Sequence, residues 1–141
     1  MISLPGYTLS TVLHDGLSTL ILQGYRNADQ VPVVAKLSRS DLPRPREVAR
    51  RRHEYAILKQ LDVNGVIKAY ALESYSNGLA LILEGINAKP LNDLIRAGTL
   101  DVKETLRIAI RLAEILAGIY KQRVIHKDIK PANILIEEGT N

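Results

Sequence analysis

Between Val102 and Gln122 the chain carries two apolar stripes side by side at helical spacing. Leu106, Ala109, Ala113, Leu116 and Tyr120 form one, Ile108, Leu112, Ile115 and Ile119 the other, and only Arg107, Arg111 and Glu114 mark a narrow polar face. A helix apolar over most of its circumference belongs inside a protein, packed on several sides. The 19 residues after Gln122, ending near Ile134-Leu135-Ile136, are too few to cover it. The expectation is a core left incomplete, and an isolated chain that is marginal or aggregation-prone because it exposes a contiguous apolar patch.

The earlier part of the chain has a different period. Tyr7 to Leu13 and Leu20 to Tyr25 are apolar runs around Asp15-Gly16, a hairpin signal, and Ala71 to Tyr75 and Leu79 to Leu83 flank Ser76-Asn77-Gly78, with Asn-Gly the favoured two-residue turn. Val31 to Leu37 is a β-branched run that reads as buried on both faces except at Lys36. From Arg46 to Leu61 the spacing is helical, introduced by Pro43 and Pro45. Glu54 lies four and seven residues before Leu58 and Leu61, on the stripe that should face the core, where a carboxylate is costly unless paired. A short helix near Leu91 to Ile95 precedes the long one. The sequence thus predicts five strands and one helix, then a helical region.

Composition narrows the function classes. The 141 residues contain no Cys, so disulfide-stapled and zinc-thiolate proteins are excluded, and 9 glycines exclude a collagen-like repeat. No apolar run approaches the roughly 20 residues of a membrane span, and Met1 to Gly6 lacks a secretory pattern, so a cytoplasmic protein without membrane contact is expected. The net charge of +4 comes from one stretch, Lys36, Arg39, Arg44, Arg46, Arg50, Arg51 and Arg52. The six tyrosines are scattered singly and offer no stacking platform beside it, which argues against a nucleic-acid partner. Arg50 to Arg52 read as the solvated face of the helix that carries Glu54.

The segment His126-Lys127-Asp128-Ile129-Lys130-Pro131-Ala132-Asn133 gathers an acid, a base and an amide in one loop. Five specified positions arise by chance on the order of 10⁻⁵ to 10⁻⁴ times in a chain of this size. The segment resembles the protein-kinase catalytic loop H-R-D-L-x-x-x-N, and the chain is similar to the serine/threonine protein kinases. The resemblance implies an α+β, kinase-like fold: a complete N-lobe over residues 1–84, five antiparallel strands plus one helix, and over residues 85–141 a hinge and only the first part of a helical C-lobe. It implies ATP and Mg²⁺ as cofactors and transfer of the γ-phosphoryl group to a protein hydroxyl. Asp128 would accept the hydroxyl proton, Lys130 would sit against the transferred phosphate, and Asn133 would be the metal ligand. Val33-Val34-Ala35-Lys36 stands where the kinase V-A-I-K strand stands, and Glu54 where the partner of its lysine would be. Leu81-Ile82-Leu83-Glu84 resembles the strand leading to the hinge, with Leu83 at the gatekeeper position and the backbones of Glu84 and Ile86 at the adenine edge.

The departures from the family are as informative. Where it has L-G-x-G-x-x-G-x-V, Leu13 to Ile21 reads L-H-D-G-L-S-T-L-I, so Leu13, Gly16 and Ile21 would bind nucleotide with one glycine of three and a looser grip on the phosphates. Lys127 replaces the arginine of H-R-D, a point charge in place of a planar fork, so control by activation-loop phosphorylation is not expected; His126 reads as a scaffold residue. No D-F-G, activation segment or A-P-E is present. The 141 residues by themselves are therefore expected to transfer nothing, as an inactive fragment or pseudokinase-like binder, unless a missing C-terminal kinase half or downstream domains complete them. The motif style is similar to bacterial kinase domains, such as those of cyanobacterial multidomain sensor proteins. A small-molecule phosphotransferase shares H-x-D-x-x-x-x-N, but the Lys130-Pro131 step argues against it.

Overall fold

The computed structural model describes residues 2–40, 42–76, 78–125 and 129–138. His126, Lys127 and Asp128 lie outside them, as does Asn77. The chain divides into two compact units, Met1–Gln60 with Ile67–Ile86, and Leu61–Val66 with Asn87–Asn141.

The first unit is a five-stranded sheet with one helix. Strands β1 (Tyr7–Asp15), β2 (Thr19–Arg26), β3 (Pro32–Ser38), β4 (Ala69–Tyr75) and β5 (Gly78–Glu84) lie in the order β1-β2-β3-β5-β4, and every neighbouring pair is antiparallel. Helix α1 (Pro45–Gln60) begins on Pro45, where a missing N–H costs nothing, and the Arg44 carbonyl accepts from Glu47 and Val48. One face of the sheet carries the core: Leu9, Leu22, Val33, Ala35, Leu37, Ala80 and Ile82, closed over by Leu4. β3 was expected to be buried on both faces except at Lys36; instead Val34 too is only half-buried, so the strand alternates, with Val33, Ala35 and Leu37 fully buried. Lys36 stands between Ile21 on β2 and Leu81 on β5, on the face opposite the core, where Glu54 of α1 reaches it.

The sheet is strongly curled, so that its two edge strands approach each other. Tyr7 on β1 donates its hydroxyl hydrogen bond to Glu73 Oε1 on β4 at 3.2 Å, and the Arg26 guanidinium sits 5.4 Å from the centre of the Tyr70 ring. Burial and, next, the Glu73 charge push the Tyr7 phenol above its ordinary pKa. The second hairpin departs from its predicted turn: Tyr75 pairs with Gly78, so the glycine belongs to the strand and Ser76 takes the positive φ of 53°.

The second unit contains α2 (Leu91–Ala97), α3 (Val102–Lys121), a 3₁₀ turn at Pro131–Asn133, and a two-stranded sheet of β6 (Ala88–Pro90) and β7 (Leu135–Glu137). Gly98, in the left-handed region at φ 67°, ends α2. Asp101 opens α3 with a capping box: its side chain accepts from Glu104 N at 2.7 Å and Glu104 reaches back to Asp101 N. Of the two apolar stripes of α3, Ile108, Leu112, Ile115 and Ile119 are half-buried or buried, whereas Leu106, Ala109, Ala113 and Tyr120 are exposed. Cover for the first comes from Leu61–Val66, where Val63 lies against Gly118 and Gly65 against Ile115. Gln122 fixes that segment by donating to Asp62 O at 3.0 Å and accepting from Asp62 N at 3.2 Å. No helix among the described residues is long and apolar enough to cross a membrane.

Candidate nucleotide and phosphoryl-transfer site

Lys36 and Glu54 meet. Lys36 Nζ donates to Glu54 Oε1 at 3.0 Å, from the middle of β3 to the middle of α1, with the two side chains 30% and 32% exposed. The carboxylate is therefore half-buried rather than enclosed, and it has a second partner that the sequence reading missed. Arg51, one helical turn earlier, donates from Nη1 to Glu54 Oε2 at 3.3 Å, and its side chain is only 14% exposed. Arg50 and Arg52 do face solvent as expected, but Arg51 does not. The i,i+3 spacing was a legible signal; the surrounding run of arginines disguised it.

Of the other nucleotide candidates of the first unit, Ile21 and Leu83 share the sheet face of this pair. Ile21 and Leu81 flank Lys36 in register, and Leu83 stands opposite Val34, so Leu83 shares the face of Lys36. At the end of β5, Glu84 N–H donates to Lys68 O at 2.9 Å, while Lys68 N–H donates to the Glu84 carboxylate at 2.9 Å rather than to its carbonyl. That leaves the Glu84 carbonyl outside the exchange and available as an acceptor. Ile86, two residues on, is half-buried.

The β1–β2 loop is tightly closed. Leu13 falls at a register shift of β1 and its side chain is exposed. Gly16 N–H donates to Thr19 O at 3.0 Å, and a Cβ on Gly16 would lie 2.5 Å from His14 Nε2, so a side chain there would displace the imidazole. The clash is with the tip of an exposed side chain that can turn away, so it does not by itself demand glycine, and the Gly16 amide is already spent within the turn. Arg39, just past β3, donates Nε to Asp15 Oδ1 at 2.6 Å and its Nη2 to the same oxygen, and Arg39 N–H donates to Ser18 O at 3.0 Å.

In the second unit Lys130 is extended (φ −153°, ψ 158°) and its carbonyl accepts from Asn133 N at 2.9 Å, closing the turn that begins at Pro131. Both residues are exposed. The expected proton acceptor, Asp128, lies outside the described residues. The segment leaving this turn is held to the start of the unit by Leu91 N–H to Ile134 O at 2.8 Å, Glu138 N–H to Asn87 O at 2.9 Å, and a Lys89–Glu138 ion pair at 3.0 Å. The hydrogen bond from Lys89 holds the Glu138 carboxyl below the ordinary carboxylate range.

The model of the protein kinase domain matches residues 7–141. The chain belongs to the protein kinase family. The serine/threonine-protein kinase PrkC of Bacillus subtilis is 31% identical over 111 residues, 77% of this chain and 17% of that protein. The MAP kinase kinase kinase wis4 of Schizosaccharomyces pombe is 31% identical over 86 residues, 60% of this chain and 6% of that protein. The chain thus spans less than a fifth of the length of these relatives. A crystal structure of the Mycobacterium tuberculosis PknI kinase domain superposes with a TM-score of 0.78 at 17% identity, covering 94% of this kinase chain and 55% of that one. A second crystal structure of the same domain gives 0.77 at 16% identity, with 96% and 57% covered. The fold of this kinase chain is therefore the kinase N-lobe, five antiparallel strands and α1, with the start of the helical C-lobe.

Proposed function

We propose that the chain is the nucleotide-handling part of an ATP-dependent serine/threonine protein kinase, with its lobe boundary at Glu84–Gly85. The observation that carries the reading is the 3.0 Å Lys36–Glu54 pair, a cation held in place on β3 by a carboxylate of α1. An ammonium steadied in this way can meet phosphate oxygens without paying the entropy of ordering a free lysine. The donor set fits a nucleotide: Lys36 for the phosphates, the Glu84 carbonyl and the Ile86 amide for the adenine edge, and Leu13, Ile21 and Leu83 as apolar walls. Asn133 offers a neutral oxygen of the kind Mg²⁺ accepts. When bound, Mg²⁺ would offset the negative charge of the phosphates. Asp128 takes the proton of the substrate hydroxyl as its oxygen bonds to the γ-phosphorus, the bond from that phosphorus to the β,γ-bridging oxygen breaks, and ADP departs with the electron pair; Lys130 offsets charge on the transferred group.

A second reading, nucleotide binding without transfer, is favoured by the spent Gly16 amide, which leaves the loop fewer N–H groups for phosphates. One experiment separates the two: calorimetric titration of the chain with MgATP, beside a radiolabelled-phosphate transfer assay, on a general protein substrate, of the protein extended through the D-F-G and activation segment that this sequence lacks. Binding that Lys36→Met weakens at least about tenfold, as expected for loss of a charge-assisted contact, together with transfer abolished by Asp128→Asn, establishes the kinase reading. Binding without transfer establishes the second. No MgATP binding, or binding indifferent to Lys36→Met, refutes both.

A further inference from the structure

The Asp15–Arg39 pair has no part in the reading above, yet it joins the tip of the β1–β2 hairpin to the end of β3. Asp15 is the last residue of β1 and Arg39 the first after β3, and Thr19 pairs with Ser38, so the sheet register brings the two side chains together across 24 residues of sequence. The guanidinium sends two N–H donors to one carboxylate oxygen, and its own backbone amide closes onto Ser18 O. Both side chains are about half exposed, 45% for Arg39 and 54% for Asp15, so the pair adds little to stability. Its consequence is electrostatic. Without Arg39, a carboxylate would stand unneutralised beside the only glycine of the loop, whose amide is already engaged.

We propose that Arg39 is a positioning residue for nucleotide phosphates: by cancelling Asp15 it makes the β1–β2 loop tolerant of a polyanion, and so sets the preference of this site for ATP over adenosine. The proposal rests on the nucleotide-binding reading given above. A carboxylate several ångströms from a triphosphate, in screened solvent, changes affinity by roughly 3- to 10-fold, whereas an uncharged nucleoside does not respond to it.

The test is calorimetric titration of the whole chain with MgATP and, separately, with adenosine, using Arg39→Gln, Asp15→Asn, the double variant, and Lys36→Met as a reference. Circular dichroism confirms folding, which two half-exposed surface substitutions leave intact. Arg39→Gln should weaken MgATP by about 3- to 10-fold while adenosine stays within about twofold; Asp15→Asn should bind MgATP as tightly as the parent or more so; the double variant should return to within about twofold of the parent. If Asp15→Asn weakens MgATP as much as Arg39→Gln does, or if ATP and adenosine shift together, the pair is a structural staple and the proposal is overturned. MgATP binding that needs Lys36 but ignores all three loop variants overturns the proposal alone. A parent chain that binds no MgATP overturns the nucleotide reading and the proposal together.

Discussion

Removing Glu54 should cost the first unit more than removing Lys36, although the two residues form one ion pair. The asymmetry comes from Arg51. Lys36→Met leaves Glu54 still bound to Arg51 at 3.3 Å, whereas Glu54→Gln leaves two cations facing each other across a neutral amide. For unit charges 3.0 Å apart, full water screening gives about 1.4 kcal/mol of attraction, part of it cancelled by the entropy of fixing the side chains. With roughly a third of each side chain exposed, a net coupling of about 1 kcal/mol is expected. Glu54→Gln then loses that coupling, loses the weaker bond to Arg51 and leaves half-buried cations unpaired, for a total of about 2 kcal/mol, against about 0.5–1 kcal/mol for Lys36→Met. The assay is urea unfolding followed by circular dichroism and tyrosine fluorescence, run on both single variants and the double. A change of 2 kcal/mol corresponds to roughly 8–16 °C in Tm for a domain of 60–100 residues. A Lys36→Met cost equal to or above that of Glu54→Gln, or a coupling energy below about 0.3 kcal/mol, would refute the view that Glu54 serves two cations.

Leu37 is fully buried in the sheet core, and Leu37→Ala should lower stability by about 2–5 kcal/mol in the same urea assay, with the spread set by how far Leu22 and Ile82 collapse into the void. Arg26 hydrogen-bonds Asp29 and holds its carboxyl below the ordinary range. The pair therefore contributes stability at pH above that range and loses it as pH falls through the lowered value; Asp29→Asn should flatten the acid limb of the stability profile. The Tyr7 phenol, raised by burial and by Glu73, contributes stability below the ordinary tyrosine pKa that is lost as pH climbs through the raised one. An absorbance titration of the six tyrosines should lose its latest-ionising component in Tyr7→Phe.

The strands and helices were legible wherever one period dominated. Val33 to Leu37, the helix carrying Glu54 and the Val102 helix all stand near the expected positions, because apolar spacing marks each and Pro45 opens the first helix. β6 was not foreseen, since Ala88-Lys89-Pro90 has little strand preference and becomes a strand only by pairing with Leu135–Glu137, almost 50 residues on. The Lys36–Glu54 pair could be anticipated because each residue violates an apolar pattern that the other repairs. Arg39 with Asp15 could not, because neither breaks a local rule and only the β2–β3 register brings them together. Arg51 was hidden by its neighbours: it continues the stripe of Glu54, Leu58 and Leu61, but reading the row of three arginines as one solvated face passed over that phase.

The hydrogen bond between Tyr7 and Glu73 joins strands whose residues are 66 positions apart, and β3 reaches β5 only across α1 and β4. A growing chain cannot close this curl from its N-terminal hairpin alone. At translation rates of about 5–20 residues per second, β1 waits roughly 3–13 s for its counterpart on β4 to be synthesised. Throughout that interval β1 lacks its side-chain tie to β4, and its outer edge, which remains an edge in the folded sheet, is open to any extended segment nearby, so nascent copies on one messenger are at risk of pairing with each other.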